Sequence, residues 1–189
     1  AEPAGRLPAP ADQPVRPALR VAGQVLAQLN ADSDIAPYLS GGGLPQSRLY
    51  RNVHGHFVDV TRKTGAGLAV RGTGCVAADL DGNGTTDLFV TTASFDPRRN
   101  AYDALLWNNG DGTFTEGAKA AGIDAPGWHA GAAVGDVNGD GRPDLFVAGY
   151  TDPNVVVPSS SGFPTNHEAV RDRLYLNEGP DSNGRSTFR

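Results

Sequence analysis

The stretch Asp79-Leu80-Asp81-Gly82-Asn83-Gly84-Thr85-Thr86-Asp87 decides how this chain is built, because a matching stretch follows 57 residues later. The second copy reads Asp136-Val137-Asn138-Gly139-Asp140-Gly141-Arg142-Pro143-Asp144. Both copies have an oxygen-bearing side chain at the first, third, fifth and ninth places, and glycine at the fourth and sixth. Each runs directly into an apolar segment, residues 88–90 and 145–147, whose composition is typical of a strand.

The spacing of these oxygens predicts a loop that binds a hard cation. Calcium takes six to eight oxygen ligands at roughly 2.3–2.6 Å, and side chains two apart on a tight turn can converge on one point. Glycine supplies the positive φ that such a turn needs. An EF-hand is excluded, because its twelfth place must be a bidentate Glu followed by a helix. The twelfth places here are Val90 and Val147, within the predicted strands.

The composition favours short strands and turns, and it agrees with metal loops. Gly (25) and Pro (14) together make up about a fifth of the 189 residues. The net charge is −5, and six of the acids lie in the two loops, so two bound Ca²⁺ would leave about −1. The acidity is therefore mostly that of the loops, and it argues against a nucleic-acid partner. No apolar run approaches the roughly 20 residues of a transmembrane segment.

Two features bear on the compartment. The chain has one cysteine, Cys75, which excludes an internal disulfide and is expected to be a small buried apolar residue. The sequence opens with Ala-Glu-Pro, which is typical of a mature end left after a signal peptide is removed. Weak calcium loops also suit compartments outside the cytosol. We therefore expect an extracytoplasmic protein: secreted, periplasmic or on the cell surface.

The first 45 residues differ from the rest and are predicted to form a separate region. Residues 1–20 are rich in Pro and Ala, which indicates an extended leader. The apolar spacing over residues 18–30 predicts one short amphipathic helix. The run Gly41-Gly42-Gly43-Leu44-Pro45 then interrupts the chain.

From residue 46 onwards the sequence repeats. Three segments each read as a strand, a turn and a second strand that starts with an aromatic residue, which predicts β-hairpins: Leu49-Tyr50-Arg51-Asn52 to Phe57, Leu105-Leu106-Trp107-Asn108 to Phe114, and Leu174-Tyr175-Leu176-Asn177 to Phe188. Small-residue strands, 74–78 and 131–135, lead into the two metal loops and indicate close packing. One unit of about 57 residues thus contains four strands, as a propeller blade does. Longer excursions, 93–103 and 151–172, fall at the same point of each unit and are expected to share one face.

These loops and the segment LLWNNGDGTF (105–114) resemble FG-GAP/VCBS-type repeats, the calcium-binding blades of β-propellers like those of integrin α-subunits. With YRN (50–52), FVDVT (57–61) and AGI (121–123), the chain is also similar to secreted bacterial proteins related to cartilage acidic protein. The resemblance implies an all-β fold of four-stranded antiparallel blades, with structural Ca²⁺ at two sites. The implied ligands are Asp79, Asp81, Asn83, the Thr85 carbonyl and Asp87 in one loop, and Asp136, Asn138, Asp140, the Arg142 carbonyl and Asp144 in the other.

The predicted ring is incomplete. A third metal loop would be due near residue 205, and residues 46–189 supply about two full blades plus fragments. Propellers have four to eight blades, so 189 residues cannot close a ring. We therefore expect further blades from the rest of a longer chain or from a partner chain.

The sequence predicts a binding module rather than an enzyme. Cys75 has no evident base partner, Ser159-Ser160-Ser161 lies in no motif, and neither catalytic nor organic-cofactor residues are predicted. The pair His54 and His56 could form a zinc or substrate site, although exposed turn histidines fit as well. The preferred function is protein or glycan binding, adhesion or assembly. The alternatives are part of a propeller lyase or hydrolase, or an accessory subunit of a cell-envelope complex.

Overall fold

The computed structural model describes residues 23–27, 36–40, 47–53, 56–93, 102–158, 160, 162 and 167–189. Most of the elements are strands. The first part of the chain contains β1 (Gly23–Ala27), β2 (Ala36–Ser40), β3 (Arg48–Val53), β4 (His56–Asp59) and the short helix α1 (Thr61–Thr64). The middle contains β5 (Gly72–Ala78), β6 (Asp87–Thr92), β7 (Ala104–Asn108), β8 (Phe114–Glu116) and the short helix α2 (Ala118–Ala121). The last part contains β9 (His129–Gly135), β10 (Asp144–Gly149), β11 (Asp152–Val156), β12 (His167–Glu168), β13 (Arg173–Tyr175), β14 (Asn177–Pro180) and β15 (Ser186–Phe188).

The strands form three antiparallel units that follow one another along the chain. The first unit has the order β1-β2-β3-β4 and the second β5-β6-β7-β8. In the third unit β9, β10 and β13 pair in that order, and β14 continues from β13 and pairs with β15. Backbone hydrogen bonds in both directions between Leu176 and Arg189 join the two parts of this unit. The expectation of an all-β fold with four-stranded propeller-like blades is confirmed.

The prediction of a helix over residues 18–30 is wrong. Residues 23–27 form strand β1, which pairs with β2 in the register Gly23↔Ser40 to Ala27↔Ala36. The local apolar spacing could not reveal this, because the partner strand, residues 36–40, lies outside the apolar segment 18–30. The leader 1–20 and the break at 41–45 lie outside the described residues. The division into a leader region, 1–45, and a partial propeller, 46–189, stays a prediction.

The innermost strands of the three units lie side by side, β1 next to β5 and β5 next to β9. Their small residues allow a close approach. A Cβ added at Gly74 would lie 3.1 Å from the Cα of Gly131 and 3.0 Å from Thr91 Oγ1. A larger side chain at this position would force the two strands apart, which is why this inner strand is rich in Gly and Ala.

Two apolar clusters hold the units together, one on each face of the second sheet. Between the first and second units lie Leu49, Ala66, Cys75, Leu88, Val90, Ala104 and Leu106. Between the second and third units lie Leu80, Phe89, Leu105, Trp107, Ala118, Ala121, Ile123, Ala125, Leu145, Val147, Tyr175 and Phe188. Because both faces of β6 are covered, every residue of that strand is buried. Helix α2, which the sequence did not predict, supplies small residues to the second cluster.

The far face of the third unit differs from the equivalent face of the second. Three positions that are buried in the second unit are exposed at the matching places of the third. These pairs are Leu80 (1% exposed) and Val137 (59%), Phe89 (0%) and Phe146 (41%), and Leu105 (0%) and Leu174 (51%). Among the described residues, the third unit thus presents an uncovered copy of the surface by which the second unit packs on its neighbour. We call Val137, Phe146 and Leu174 the open face.

The two excursions are described to different extents. Residues 94–101 of the first lie outside the described part of the chain. The second contains the two-stranded ribbon β11–β12, with Asp152 opposite Glu168. No helix in the described ranges is long and apolar enough to span a membrane.

Candidate metal centre

Both loops connect paired inner strands, the first β5 with β6 and the second β9 with β10. The glycines at the fourth and sixth places have matching positive φ values. Gly82 and Gly84 have φ of 74° and 85°, and Gly139 and Gly141 have 77° and 83°. An L side chain is strained in this region of φ, so the predicted reason for these glycines is confirmed.

The first-place aspartates organise the turns through backbone hydrogen bonds. In the first loop, Asp79 accepts from the amides of Asn83 (3.1 Å) and Gly84 (2.9 Å). In the second, Asp136 accepts from Asp140 (3.1 Å) and Gly141 (2.8 Å), the same relative positions. The two loops therefore share one backbone conformation that points successive amides at the first carboxylate.

The ninth-place aspartates tie each loop to the third strand of its own unit. Asp87 accepts from the amide of Leu80 through Oδ2 (2.9 Å) and from Asn108 through Oδ1 (2.8 Å). These bonds cross from the loop to the end of β7. They fix the position of a carboxylate that is completely buried.

The second loop repeats this connection. Asp144 accepts from the amide of Val137 (3.0 Å) and from that of Asn177 (2.8 Å). In both units the backbone amide of the hairpin Asn, Asn108 or Asn177, thus donates to the ninth carboxylate. The sequence placed Asn108 and Asn177 at matching hairpin positions but did not reveal this function.

The first loop gathers its three carboxylates at one point. Asp79, Asp81 and Asp87 each offer an oxygen, and these oxygens all lie within 4.8 Å of one another. Two ligands of one calcium ion, each at about 2.4 Å, can be at most about 4.8 Å apart. The donor set therefore fits a single hard cation. Asn83 and the Thr85 carbonyl, the other predicted ligands, lie on the same turn.

The seventh residue of each loop reaches the neighbouring hairpin by its side chain. Thr85 Oγ1 donates to the carbonyl of Asn108 (3.2 Å), and Arg142 Nε donates to that of Asn177 (2.8 Å). Arg142 also pairs with the carboxylate of Asp140 in its own loop. Two different side chains therefore make the same contact at this place of the loop.

The third unit covers the first loop. Asn177 Nδ2 donates to the carbonyl of Leu80 (2.8 Å), and Arg185 Nη1 lies 2.6 Å from Asp81 Oδ2. The Asp81 side chain is fully buried as a result. In the second loop, by contrast, residues 136–142 are all exposed. The difference follows from the open face, since no described unit lies beyond the third.

Burial has a marked effect on the ninth aspartate. Desolvation raises the pKa of Asp87 to about 7, opposed by the amides of Asn108 and Leu80 and helped by the charges of Asp81 and Asp79. In the second loop, backbone hydrogen bonds, that of Gly141 first, lower the pKa of Asp136. A buried, partly protonated carboxyl among other acids is an arrangement that a divalent cation relieves.

We expect calcium binding at the first loop to depend on pH near neutrality. A carboxyl whose pKa is raised to about 7 holds a proton below that pH, and the proton must leave before the oxygen can bind a metal. Calcium affinity should therefore rise between pH 6 and 8 (roughly tenfold per pH unit at most, for one proton released). Isothermal titration at several pH values measures this. A flat profile across this range would contradict it.

Three other candidate residues lie outside the two loops: Cys75, His54 and His56. Cys75 is 8% exposed, as expected of a small buried apolar residue. Burial raises the pKa of its thiol to about 12. His54 lies outside the described residues, while His56 is exposed on β4. His129 Nδ1 lies 2.8 Å from Asp103 Oδ2, and both side chains are fully buried.

That buried pair joins the second and third units. Asp103 Oδ1 accepts from the amide of Thr92, so its carboxyl bridges the end of β6 and the start of β9. Burial raises the pKa of Asp103, and the hydrogen bond with His129 opposes this. The pair holds strands in place and does not face either loop.

Comparisons with known proteins agree with this geometry. Residues 93–147, from the first excursion through the second loop to β10, match the family model described as an FG-GAP-like repeat. Cartilage acidic protein 1 of Homo sapiens is 30% identical over 97 residues, and that of Mus musculus is 29% identical over 97 residues. Each match covers 51% of this chain, and the chain spans 14% of the length of these relatives. The predicted resemblance to FG-GAP-type repeats is confirmed, and the chain is a β-propeller-like module.

Proposed function

We propose that this chain is part of a secreted or periplasmic calcium-binding β-propeller that serves protein or glycan binding, adhesion or assembly, with calcium in a structural role. The observation that carries the proposal is the convergence of the Asp79, Asp81 and Asp87 oxygens within 4.8 Å. The ten predicted ligands of the two loops are the proposed sites. When bound, calcium would neutralise the clustered carboxylates and fix the loops between their strands.

The second loop supports the proposal through its likeness to the first. It has the same glycine conformations and the same bonds to its first and ninth carboxylates. Its third place is Asn138 and its fifth Asp140, so it offers three carboxylates as the first loop does. A loop of this charge and exposure suits the millimolar calcium found outside the cytosol, where modules bind at about 10⁻⁴–10⁻³ M. This argues for the extracytoplasmic location.

The open face supports further blades as partners. Phe146 and Leu174 occupy the places that Phe89 and Leu105 use to pack the second unit on the third. A surface that repeats an existing interface is best covered by another unit of the same kind. We propose that a further blade, from a longer chain or a partner chain, covers both this face and the exposed second loop.

Thermal unfolding with and without calcium tests the proposal. At about 1 mM calcium and a dissociation constant of about 10⁻⁴ M, each site contributes about 1.4 kcal/mol to stability. Two sites should raise Tm by roughly 5–10 °C over the protein in chelator, given about 2–4 °C per kcal/mol for a chain of this size.

The matched variants separate metal binding from general stabilisation. D79N/D136N keeps the size of both first-place side chains but removes one charge from each loop, and should lose most of the calcium-induced rise. D111N changes an exposed hairpin aspartate that accepts hydrogen bonds from Thr113, and should keep the calcium-induced rise. An equal rise in all three proteins, or none in the unmodified chain, would refute the proposed function.

A further inference from the structure

The third hairpin is longer than the second, and its extra length reaches the first metal loop. Five residues separate the paired positions Asn108 and Phe114, whereas ten separate Asn177 and Phe188. The added residues form the turn that carries Arg185. This turn is specific to the third hairpin and is not part of the repeated pattern.

Arg185 is held over the first loop by four contacts from the second unit. Its Nη1 lies 2.6 Å from Asp81 Oδ2 and donates to the carbonyl of Asn108 (3.2 Å). Its Nη2 donates to Asn109 Oδ1 (2.8 Å), and the guanidinium lies 5.5 Å from the ring centroid of Trp107. A planar guanidinium with this many partners is a specific fit.

We propose that Arg185 and a calcium ion in the first loop compete for the carboxylate of Asp81, so that calcium binding and docking of the β14–β15 hairpin oppose each other. This inference rests on the proposed calcium site. Asp81 is one of the three acids whose oxygens converge, and it is the one paired with a positive charge from another unit. A guanidinium on a ligand carboxylate lowers that ligand's negative potential and repels a dication a few ångströms away.

The Arg185 side chain has space to move away from Asp81. Arg185 lines a cavity of about 330 Å³ between the second and third hairpins, and its side chain is 26% exposed. Asp181 and Glu116 line the same cavity and offer other carboxylates to a displaced guanidinium. Calcium entry can thus shift Arg185 without leaving a buried charge unpaired.

The coupling must be reciprocal, because the two events share one carboxylate. If Arg185 lowers calcium affinity at the first loop, calcium loosens the hairpin by the same factor. Calcium in the first loop would then weaken the contacts between the second and third units. The second loop lacks this coupling, because the arginine that pairs with its carboxylate, Arg142, belongs to the same turn.

The test is a calcium titration in a D136N/D140N background, in which the second loop is disabled. R185Q should bind calcium on the order of tenfold more tightly than this parent, and the gain should shrink at high salt. R185K keeps the charge but loses the planar fork, so its calcium affinity should lie between those of the parent and R185Q. R189Q is the matched control, since Arg189 lies on the same hairpin but its side chain forms an ion pair with exposed Glu178.

Hydrogen exchange gives a second readout. In the parent, calcium should speed exchange of the backbone amides of residue 179 and residues 181–187, and in R185Q it should not. A purely structural role for Arg185 predicts the opposite sign in the titration, because a loosened loop binds calcium less well. Unchanged or weaker binding by R185Q would overturn the inference while leaving the calcium site intact. Calcium binding by no variant, including the unmodified chain, would overturn the site as well.

Discussion

Asp87→Ala is expected to lower the free energy of unfolding by about 3–5 kcal/mol in calcium. Asp87 is completely buried, and its two oxygens accept from the amides of Leu80 and Asn108. Alanine leaves the buried amide of Leu80 and the partly buried amide of Asn108 without an acceptor, at about 1–3 kcal/mol each, and also removes a metal ligand. Urea denaturation in calcium and in chelator measures the change.

The loss of stability caused by Asp87→Ala is expected to differ between chelator and calcium. Without calcium, the ionised Asp87 carboxylate is itself costly, because its pKa is raised to about 7 by burial. Its contribution to stability is therefore greatest below pH 4 and is lost as the pH rises through 7. At pH 8 the loss caused by Asp87→Ala should be clearly smaller in chelator than in calcium.

The control for this variant is Asp111→Ala. Asp111 is an exposed turn residue whose carboxylate accepts hydrogen bonds from Thr113, so its removal should cost less than about 1 kcal/mol in either condition. If Asp87→Ala were as mild as Asp111→Ala, or if its cost were the same with and without calcium, the proposed role of the ninth carboxylate would be wrong.

Phe89→Ala is expected to destabilise the chain by about 3–5 kcal/mol, while the same change at Phe146 costs less than about 1 kcal/mol. The two residues hold the same place in successive repeats. Phe89 is fully buried between the second and third units, whereas Phe146 is 41% exposed on the open face. The difference between the two losses of stability measures how much a neighbouring unit stabilises this position. Thermal unfolding should show a drop of roughly 10 °C for Phe89→Ala alone.

The same two substitutions can also be compared in a longer polypeptide that includes a further blade. If a further blade covers the open face, Phe146→Ala should become as damaging as Phe89→Ala in a chain that includes that blade. A large cost for Phe146→Ala in the 189-residue chain would mean that the open face is already covered, for example by a second copy. A small cost in every context would contradict the proposed docking of a blade.

The sequence predicted what is encoded locally. The two loops and the three hairpins were found because the turn residues and strand residues lie within a few positions of one another. The positive φ values of Gly82 and Gly139 confirm the role given to those glycines. The same local chemistry, repeated after 57 residues, was enough to predict the four-stranded units.

What the sequence did not predict depends on contacts between distant segments. Strand β1 was predicted as helix, because its partner β2 could not be inferred from local periodicity. Arg185 lies 104 positions from Asp81, and its only signal was that the third hairpin is five residues longer than the second. Asn177 binds the backbone of Leu80 across the unit boundary, a contact that no spacing within one repeat indicates.

The different exposure of equivalent residues was also beyond local prediction. Leu80 and Val137 have the same place in the loop, yet one is 1% and the other 59% exposed. Only the order of the units in space determines which copy is covered. The expectation of an incomplete ring nevertheless implied that some such surface would exist.

The most direct test of calcium binding is native mass spectrometry of the 19.6 kDa chain in calcium and then in chelator. We expect each chain to carry two calcium ions, one lost in D79N, the other lost in D136N, and both removed by chelator. A chain that binds no calcium, or whose bound calcium is unaffected by either substitution, would contradict the assignment of the two loops.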